Sequence, residues 1–379
     1  MLAPDDPKWV HRDDELVPPT NAWVHRAHYV GPTGRRPADE LHGTEGLDRL
    51  AAHVRLFGRR LLLPDENVSW NLTAIPAATR IVKDEGIDVV VTTSPPNSIH
   101  LVGAAVKRLT GVRWAADLRD SIAAHPHRRT DSLAVRTKER TAAAIAQLVA
   151  RRADAIVAAS AAIAEEARSL EPRGPVSTIP NGCDFDDFAG LAYRRGERFT
   201  ITHAGSFFGR RSPRAFLQAL ADSGLDAVAR FVGDFRPSDR EWAEGLGLGD
   251  RLELVPYGSH RRALELQRSS DALLLLIPDA DGRGRGVLSG KVFEYVAAER
   301  PILAVVPPDG AAAALVHETG NGIVAAPDDV GAIREALEAL HERWRSGSLN
   351  GTPLTAEVRD RLDRRARVRE YADLLLGLP

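Results

Sequence analysis

The chain has 379 residues, 44% hydrophobic and 27% charged, with a formal net charge of −2; that length predicts two domains rather than one core, and the near-neutral balance gives no basis for nucleic-acid binding. Its single cysteine, Cys183, excludes a disulfide framework or a cysteine-built metal site within one chain and fits a reducing compartment. No apolar run has the length of a membrane span, and the acidic, polar start MLAPDDPKWVHRDDEL is unlike a secretion signal, so a cytoplasmic protein is expected.

The first 60 residues are rich in Pro, His, Arg and Asp and have weak periodicity. Beyond them, IDVVVTTS (87–94) is a short apolar run ending in PPNS, the pattern of a buried parallel strand followed by a loop. IHLVGAAVKRLTG (99–111) has helical spacing and a glycine stop. VRWAADLRD (112–120) reads as a strand, 131–152 as a long helix, ADAIVAAS (153–160) as a strand and AAIAEEARSL (161–170) as a helix. VSTIPNG (176–182) is a strand ending in a Pro-Asn-Gly turn. The pattern then restarts. Strands are expected at 199–206, 227–234, 251–259 and 271–279, separated by helices in PRAFLQALADSG, DREWAEGLGLG and RRALELQRSS. LSGKVFEYVAAERPILAVV (288–306) is a helix broken at Arg300-Pro301 and followed by a strand; 320–329 is a last short strand, 345–354 a polar linker and 355–377 helical.

Strand–helix alternation of this kind defines an α/β fold with doubly wound parallel sheets. Two Rossmann-like domains are expected, over 1–190 and 191–350, with a C-terminal helix over 351–379 that could pack back on the first. Ligands of open parallel sheets bind beyond the carboxyl ends of the strands, and two such sheets can face each other across a cleft. The loops TTSPPNS, DLRDS, GSFFGRR, GDFRP and PDADGRGRG all occupy such ends.

In AGSFFGRRSPRAF (204–216), small residues at a strand end precede a helix start. Gly205 and Ser206 would let a ligand approach the backbone, with Arg210 and Arg211 beside it to neutralise phosphates; the plain alternative is a turn with solvated arginines. No Walker loop occurs. Lys291 falls in the first turn of the helix after Ser289-Gly290, where the helix dipole favours an anion. Glu294, one turn on, could accept hydrogen bonds from two neighbouring hydroxyls, as a ribose offers. A surface Lys–Glu pair would explain the spacing equally well, but Val292, Phe293, Tyr295, Val296 and Ala297 have the character of buried residues. Charges are rarely buried without a partner or ligand.

Weaker candidates are Asp117 and Asp120 in DLRDS, where Asp117 could orient an acceptor or serve only as a cap or ion-pair partner. His125 and His127 lack a third metal ligand at useful spacing, and DAD (279–281) only mimics a manganese motif. The basic stretch 125–152 could meet anionic lipid or a phosphorylated acceptor, or be a solvated helix face. Cys183 reads as a small packing residue.

The segments TIPNGCDFDDF, HAGSFFGRRSPRAFLQAL and GKVFEYVAAERPILAVVPPDG, with VVVTTSPPNSIHLVG and WAADLRDS before them, resemble glycosyltransferase family 4, in the same order from about residue 85 to 345. The resemblance implies a GT-B fold and sugar transfer from a nucleotide-sugar donor, retaining, to a glycan, glycolipid or natural-product hydroxyl. It implies no cofactor and no essential metal. It places Arg211 and Lys291 on the diphosphate, Glu294 on the ribose, and the backbone at Gly205 and Ser206 on the diphosphate or sugar.

The chain also departs from the family pattern. Where many members carry a first glutamate, this chain has Gly286, so a donor-sugar contact would come from the backbone of that loop; Glu299 stands where glycine is commoner. No strand–glycine loop–helix unit precedes residue 85, and the start resembles the segment after the family's second strand. The expectation is therefore an N-terminal domain lacking its first βα unit. Because removing a central strand exposes its neighbours' edges, that domain would be rearranged, completed by a partner chain, or impaired in acceptor binding. A non-catalytic nucleotide-sugar-binding subunit is the competing reading. An NAD-dependent oxidoreductase is disfavoured, since no G-x-G-x-x-G follows a strand.

Overall fold

The computed structural model of the chain describes residues 1–5, 13, 17–31, 45–122, 133–207 and 209–378. His125, His127 and the first part of the basic stretch lie outside them. The chain divides into two compact units, Met1–Pro180 with Arg369–Pro379, and Asn181–Val368.

In the first unit, β3 (Val89–Ser94), β4 (Arg113–Leu118), β5 (Ala155–Ala158) and β6 (Val176–Thr178) form a parallel sheet in that order. β5, with the sequence AIVA, is buried along its whole length, as expected of a strand covered on both faces. Helices α3 (Ile99–Thr110), α4 (Leu133–Arg152) and α5 (Ala161–Arg168) connect the strands. α3 lies close to β4 because position 103 is glycine: a Cβ there would come within 2.3 Å of Trp114 Nε1. The indole N–H instead donates to Thr92 Oγ1 at 2.8 Å, and the Thr92 hydroxyl lies 2.9 Å from His100 Nδ1. Burial brings His100 down to about 3, so this internal histidine is neutral.

β1 (Leu2–Pro4) and β2 (His25–Ala27) make a separate parallel pair, in register Leu2↔His25 to Pro4↔Ala27. Two helices that weak periodicity did not announce, α1 (Gly46–Leu61) and α2 (Asn71–Glu85), follow.

The second unit contains a six-stranded parallel sheet in the order β12-β11-β10-β7-β8-β9. Its strands are β7 (Phe199–Ala204), β8 (Ala227–Val232), β9 (Leu252–Val255), β10 (Ala272–Leu276), β11 (Ile302–Val305) and β12 (Gly322–Ala325). The helices are α6 (Arg214–Ser223), α7 (Pro237–Glu244), α8 (His260–Arg268), α9 (Gly290–Ala297), α10 (Ala311–Thr319), α11 (Val330–Arg345) and α12 (Ala356–Leu362). β10, with the sequence ALLLL, shows why a strand here must be apolar throughout. Leu273 and Leu275 enter the core on one face, while Ala272, Leu274 and Leu276 enter the core on the other.

The unit boundary falls at Pro180–Asn181 rather than at 190. The intervening residues pack forward: Cys183 and Phe188 join the core formed with α9 and β10. Likewise 351–379 is not one element. Leu362 of α12 belongs to that same core, and the Leu362 carbonyl accepts from Cys183 N at 2.6 Å. α13 (Arg364–Leu376) begins in the second unit. Its end lies in the first, where Leu378 packs with Ala115 and Ala155 and its carbonyl accepts from Arg113 Nη1 at 2.8 Å. Burial pushes the Cys183 thiol up to about 12.

The start of β10 is held by a buried carboxylate. Asp271 accepts from Thr200 N at 2.8 Å and from the Tyr193 hydroxyl at 2.5 Å. The Arg300 guanidinium lies 3.5 Å from the Tyr193 ring centroid and donates to the carbonyls of Ser270 and Asp271. Removing one member of such a network leaves its partners buried and unpaired. Asp271→Ala is expected to destabilise the second unit by about 3 kcal/mol. Urea unfolding followed by tryptophan fluorescence and circular dichroism checks this, with an unchanged midpoint as the contrary result.

Candidate functional site

The candidate site lies in the second unit, at the carboxyl ends of β7 and β10 and the start of α9. β7 ends at Ala204, whose backbone N–H donates to the Tyr295 hydroxyl at 2.9 Å. Tyr295 is fully buried, so this bond fixes α9 against the end of the strand. Gly205 follows with φ +131°, a conformation L side chains rarely adopt. A Cβ on Gly205 would fall 2.2 Å from Lys291 Cε and 2.4 Å from Nζ. The lysine side chain therefore lies directly on the bare backbone, where the positive φ favours glycine and a Cβ would push the lysine's end aside. Ser206 is held in turn, its Oγ accepting from Asp234 N at 3.1 Å.

Three basic side chains converge here. Arg211 is 4% exposed, and its Nε donates to the Leu276 carbonyl at 3.1 Å. Its loop is clamped from behind by Arg236, which donates to the carbonyls of Gly209 and Arg211 and pairs with the buried Asp239. His203 is fully buried; Nδ1–H donates to the Leu274 carbonyl at 2.8 Å. Burial, with the charges of Lys291 and Arg211, holds His203 well below the ordinary histidine range, so it is neutral. Lys291, partly buried, is brought down to about 8 by desolvation and then by Arg211, against an upward pull from Glu294. Its ammonium makes no hydrogen bond or ion pair with the described residues.

Lys291 is not alone in lacking a partner. Ser289 Oγ, at the N-cap of α9, is buried and unbonded among the described residues, as are His203 Nε2 and Gln267 Oε1. Buried polar groups in folded proteins are nearly always satisfied, so such a cluster is the signature of a place for a polar ligand. An anion would complete Lys291 and Ser289 and lie at the start of α9, where the helix dipole is favourable. Glu294, one turn further, accepts from Gln267 Nε2 at 3.2 Å. One carboxylate oxygen is thus oriented by a fully buried amide, and the carboxylate retains acceptor capacity.

The other expected residues have different surroundings. Arg210 pairs with Asp281 at 2.7 Å, joining the loops after β7 and β10. Its charge is thereby shared with the DAD segment, where Asp279 caps a turn by accepting from Gly282 N at 3.0 Å. Gly286 lies in the same compact loop. Ala280 and Asp281 adopt left-handed φ values of 54° and 60°. The neighbouring Gly284 cannot carry a Cβ, which would meet the Pro278 carbonyl oxygen at 1.9 Å. Asp117 belongs to the first unit, at the end of β4. It accepts from Arg119 Nε at 2.8 Å, and Tyr371 of α13 lies within its electrostatic reach.

His203, Gln267 and Tyr295 were not anticipated from the sequence. Gln267 could have been noticed as a polar residue on the buried face of α8 beside Leu264 and Leu266; nothing local marks Tyr295 as a backbone partner.

The architecture and this site define the class: the chain has the GT-B fold of glycosyltransferases. It superimposes on Alr3699/HepE of Anabaena solved with UDP, with a TM-score of 0.61 and 16% identity over 80% of this chain and 82% of that chain. For sucrose-phosphate synthase of Thermosynechococcus elongatus the TM-score is 0.66 at 16% identity, over 99% and 86% of the two chains. For an α,α-trehalose-phosphate synthase (UDP-forming) of Burkholderia vietnamiensis it is 0.56 at 11%, over 88% and 78%. No curated protein matches the sequence. Residues 14–182 match the family model for a glycosyl transferase 4-like domain, so the resemblance to glycosyltransferase family 4 holds.

Lys291 yields two pH dependences of opposite sign. Between about 8 and the ordinary lysine value of 10.5 the unfolded chain holds a proton that the folded chain lacks, so the lysine's contribution to stability becomes more favourable as pH rises through that window. Affinity for an anion falls over the same window as the ammonium is lost. Lys291→Met is expected to raise the Tm by a few degrees near pH 7, by removing a partly buried charge, and to weaken inorganic pyrophosphate binding at least tenfold. Thermal unfolding and calorimetric titration across pH 6.5–9.5 check this; a wild-type affinity that does not decline with pH is the contrary result.

Proposed function

We propose that the chain is a glycosyltransferase whose second unit binds a nucleotide-sugar. The observation that carries this reading is the unpaired Lys291 ammonium lying on Gly205 at the start of α9, with Arg211 beside it and the Gln267-oriented Glu294 one turn on. In this reading the donor diphosphate lies against Lys291, Arg211 and the backbone at Gly205 and Ser206. Glu294 accepts from the ribose hydroxyls. Catalysis is electrostatic: the two cations and the helix dipole stabilise the departing diphosphate, with no metal and with retention at the sugar carbon. The loop holding Gly286 faces the donor sugar, Arg210 anchors that loop through Asp281, and Asp117 helps to orient the acceptor hydroxyl. The acceptor is a glycan, a lipid-linked sugar or a natural product. Among the described residues no helix is long and apolar enough to cross a membrane; contact with a lipid-linked acceptor would run through the basic residues of α4.

A UDP-sugar is the first donor to test, since Alr3699/HepE was solved with UDP and with UDP-glucose. A non-catalytic nucleotide-sugar-binding role is the second reading, favoured by the engagement of Asp117 with Arg119 and by glycine at 286. UDP should bind the wild type, and Glu294→Ala should weaken it about tenfold, equivalent to about 1.4 kcal/mol. The same variant should lose discrimination against 2′-deoxy-UDP. Equal affinity in wild type and variant defeats the ribose assignment. Binding of UDP-glucose and other UDP-sugars without hydrolysis or transfer, across glycan and lipid acceptors, favours the second reading.

A further inference from the structure

Packing alone does not explain Gln267. It occupies the last turn of α8 and is fully buried, on a helix whose Leu264 and Leu266 join the core. Its Nε2 donates to Glu294 Oε2 at 3.2 Å, while its Oε1 is buried with no hydrogen bond among the described residues. The amide cannot turn over to satisfy that oxygen, because Oε1 would then face the carboxylate. A buried acceptor without a donor lowers stability, and an apolar side chain of similar length would avoid the loss. What the glutamine supplies is the N–H that holds Glu294.

Both ends of this hydrogen bond are fixed by the fold. Ser270 Oγ donates to the Leu266 carbonyl at 2.6 Å and lies 2.6 Å from Thr202 Oγ1 on β7. Arg268 donates to the Ala298 carbonyl at the end of α9 and to Glu299 Oε2 at 3.2 Å. α9 is held in turn by the Tyr295 hydroxyl on Ala204 N. The end of α8, the helix α9 and the strand β7 are thus tied pairwise, which sets where the Glu294 carboxylate stands. Glu294 is partly exposed, and its Oε1 accepts from no described residue. A freely turning carboxylate accepts from many directions and discriminates weakly. One fixed by a buried amide binds a donor at one place, and is left unmet when that donor is missing.

We infer that Gln267 is the positioning residue that makes the donor site select ribonucleotides. By holding Glu294 it favours sugars carried on a ribonucleoside diphosphate over those carried on a 2′-deoxynucleoside diphosphate. This rests on the nucleotide-sugar reading above, with Glu294 at the ribose; Gln267 acts through Glu294 and not on the ligand.

Calorimetric titration of the full chain tests this with UDP, or with ADP or GDP if one binds more tightly, with the 2′-deoxy form of that nucleotide, and with inorganic pyrophosphate. The wild type should prefer the ribonucleotide at least about tenfold. Gln267→Met should weaken the ribonucleotide about fivefold and bring the two forms within about twofold of each other. Its pyrophosphate affinity and Tm should not fall. Gln267→Met combined with Glu294→Ala should bind no more weakly than Glu294→Ala alone, because the amide has no other route to the ligand. Should Gln267→Met not fold, 15N NMR of the wild type decides, since the chain has only three glutamine side-chain amides: the ribonucleotide should shift one of them more than pyrophosphate does. Unchanged affinity and discrimination in Gln267→Met, additive losses in the double variant, or no such shift overturns the inference and leaves the nucleotide-sugar reading intact. Parallel loss of nucleotide and pyrophosphate binding also overturns it, by making the amide a structural residue only. If the wild type binds none of UDP, ADP and GDP, the nucleotide-sugar reading itself fails and the inference with it.

Discussion

The contact between Lys291 and Gly205 is the constraint on which the second unit's candidate site depends. A lysine lying on this backbone depends on a left-handed glycine after Ala204, where the strand stops, and on a helix held at a fixed distance. The Tyr295 hydroxyl supplies the last of these by accepting from Ala204 N. The clamp of Arg236 and Asp239 behind Arg211 does the same for the second cation. Two positive charges are thereby held close enough for Arg211 to help bring Lys291 down to about 8, a repulsion that an anion between them would relieve. Strain in the adjoining loop, at Ala280 and Asp281, belongs to the same economy, since left-handed backbone at non-glycine residues persists where the surroundings enforce it.

Much of this was legible in the sequence, and the reasons are physical. Buried parallel strands write themselves as apolar runs, so β10 and β11 could be placed from ALLLL and PILAVV. The Lys291–Glu294 spacing on a helix with a glycine-rich entry was readable because helical periodicity fixes which side chains share a face. Other features depend on partners far along the chain. Arg210 reads as a phosphate ligand until Asp281, 71 residues later, is seen beside it. Gln267 acquires meaning only from its contact with Glu294. The division expected at 190 falls instead at Pro180–Asn181, because Cys183 and Phe188 look like the tail of one domain while packing in the core of the next.

The first unit follows a different logic. Its four-stranded sheet is buried most fully at β4 and β5, above the Thr92–His100–Trp114 network beneath α3. Yet among the described residues β1 and β2 pair with each other and with neither longer sheet, over three residues in each strand. Short pairs of this kind have little independent stability, and β1–β2 is supported by neighbours such as Tyr29 and Trp70 in the cluster beneath α2.

Cys183 carries a practical consequence. The chain's only thiol is 1% exposed and raised to about 12, so in the folded state it is neither accessible nor ionised, and thiolate is the reactive form. It lies where the Asn181–Val368 unit closes on α12 through the Cys183–Leu362 backbone bond. Alkylation of this sulfur thus times the opening of that unit alone, leaving the rest of the surface free for cysteines introduced at chosen positions as labels.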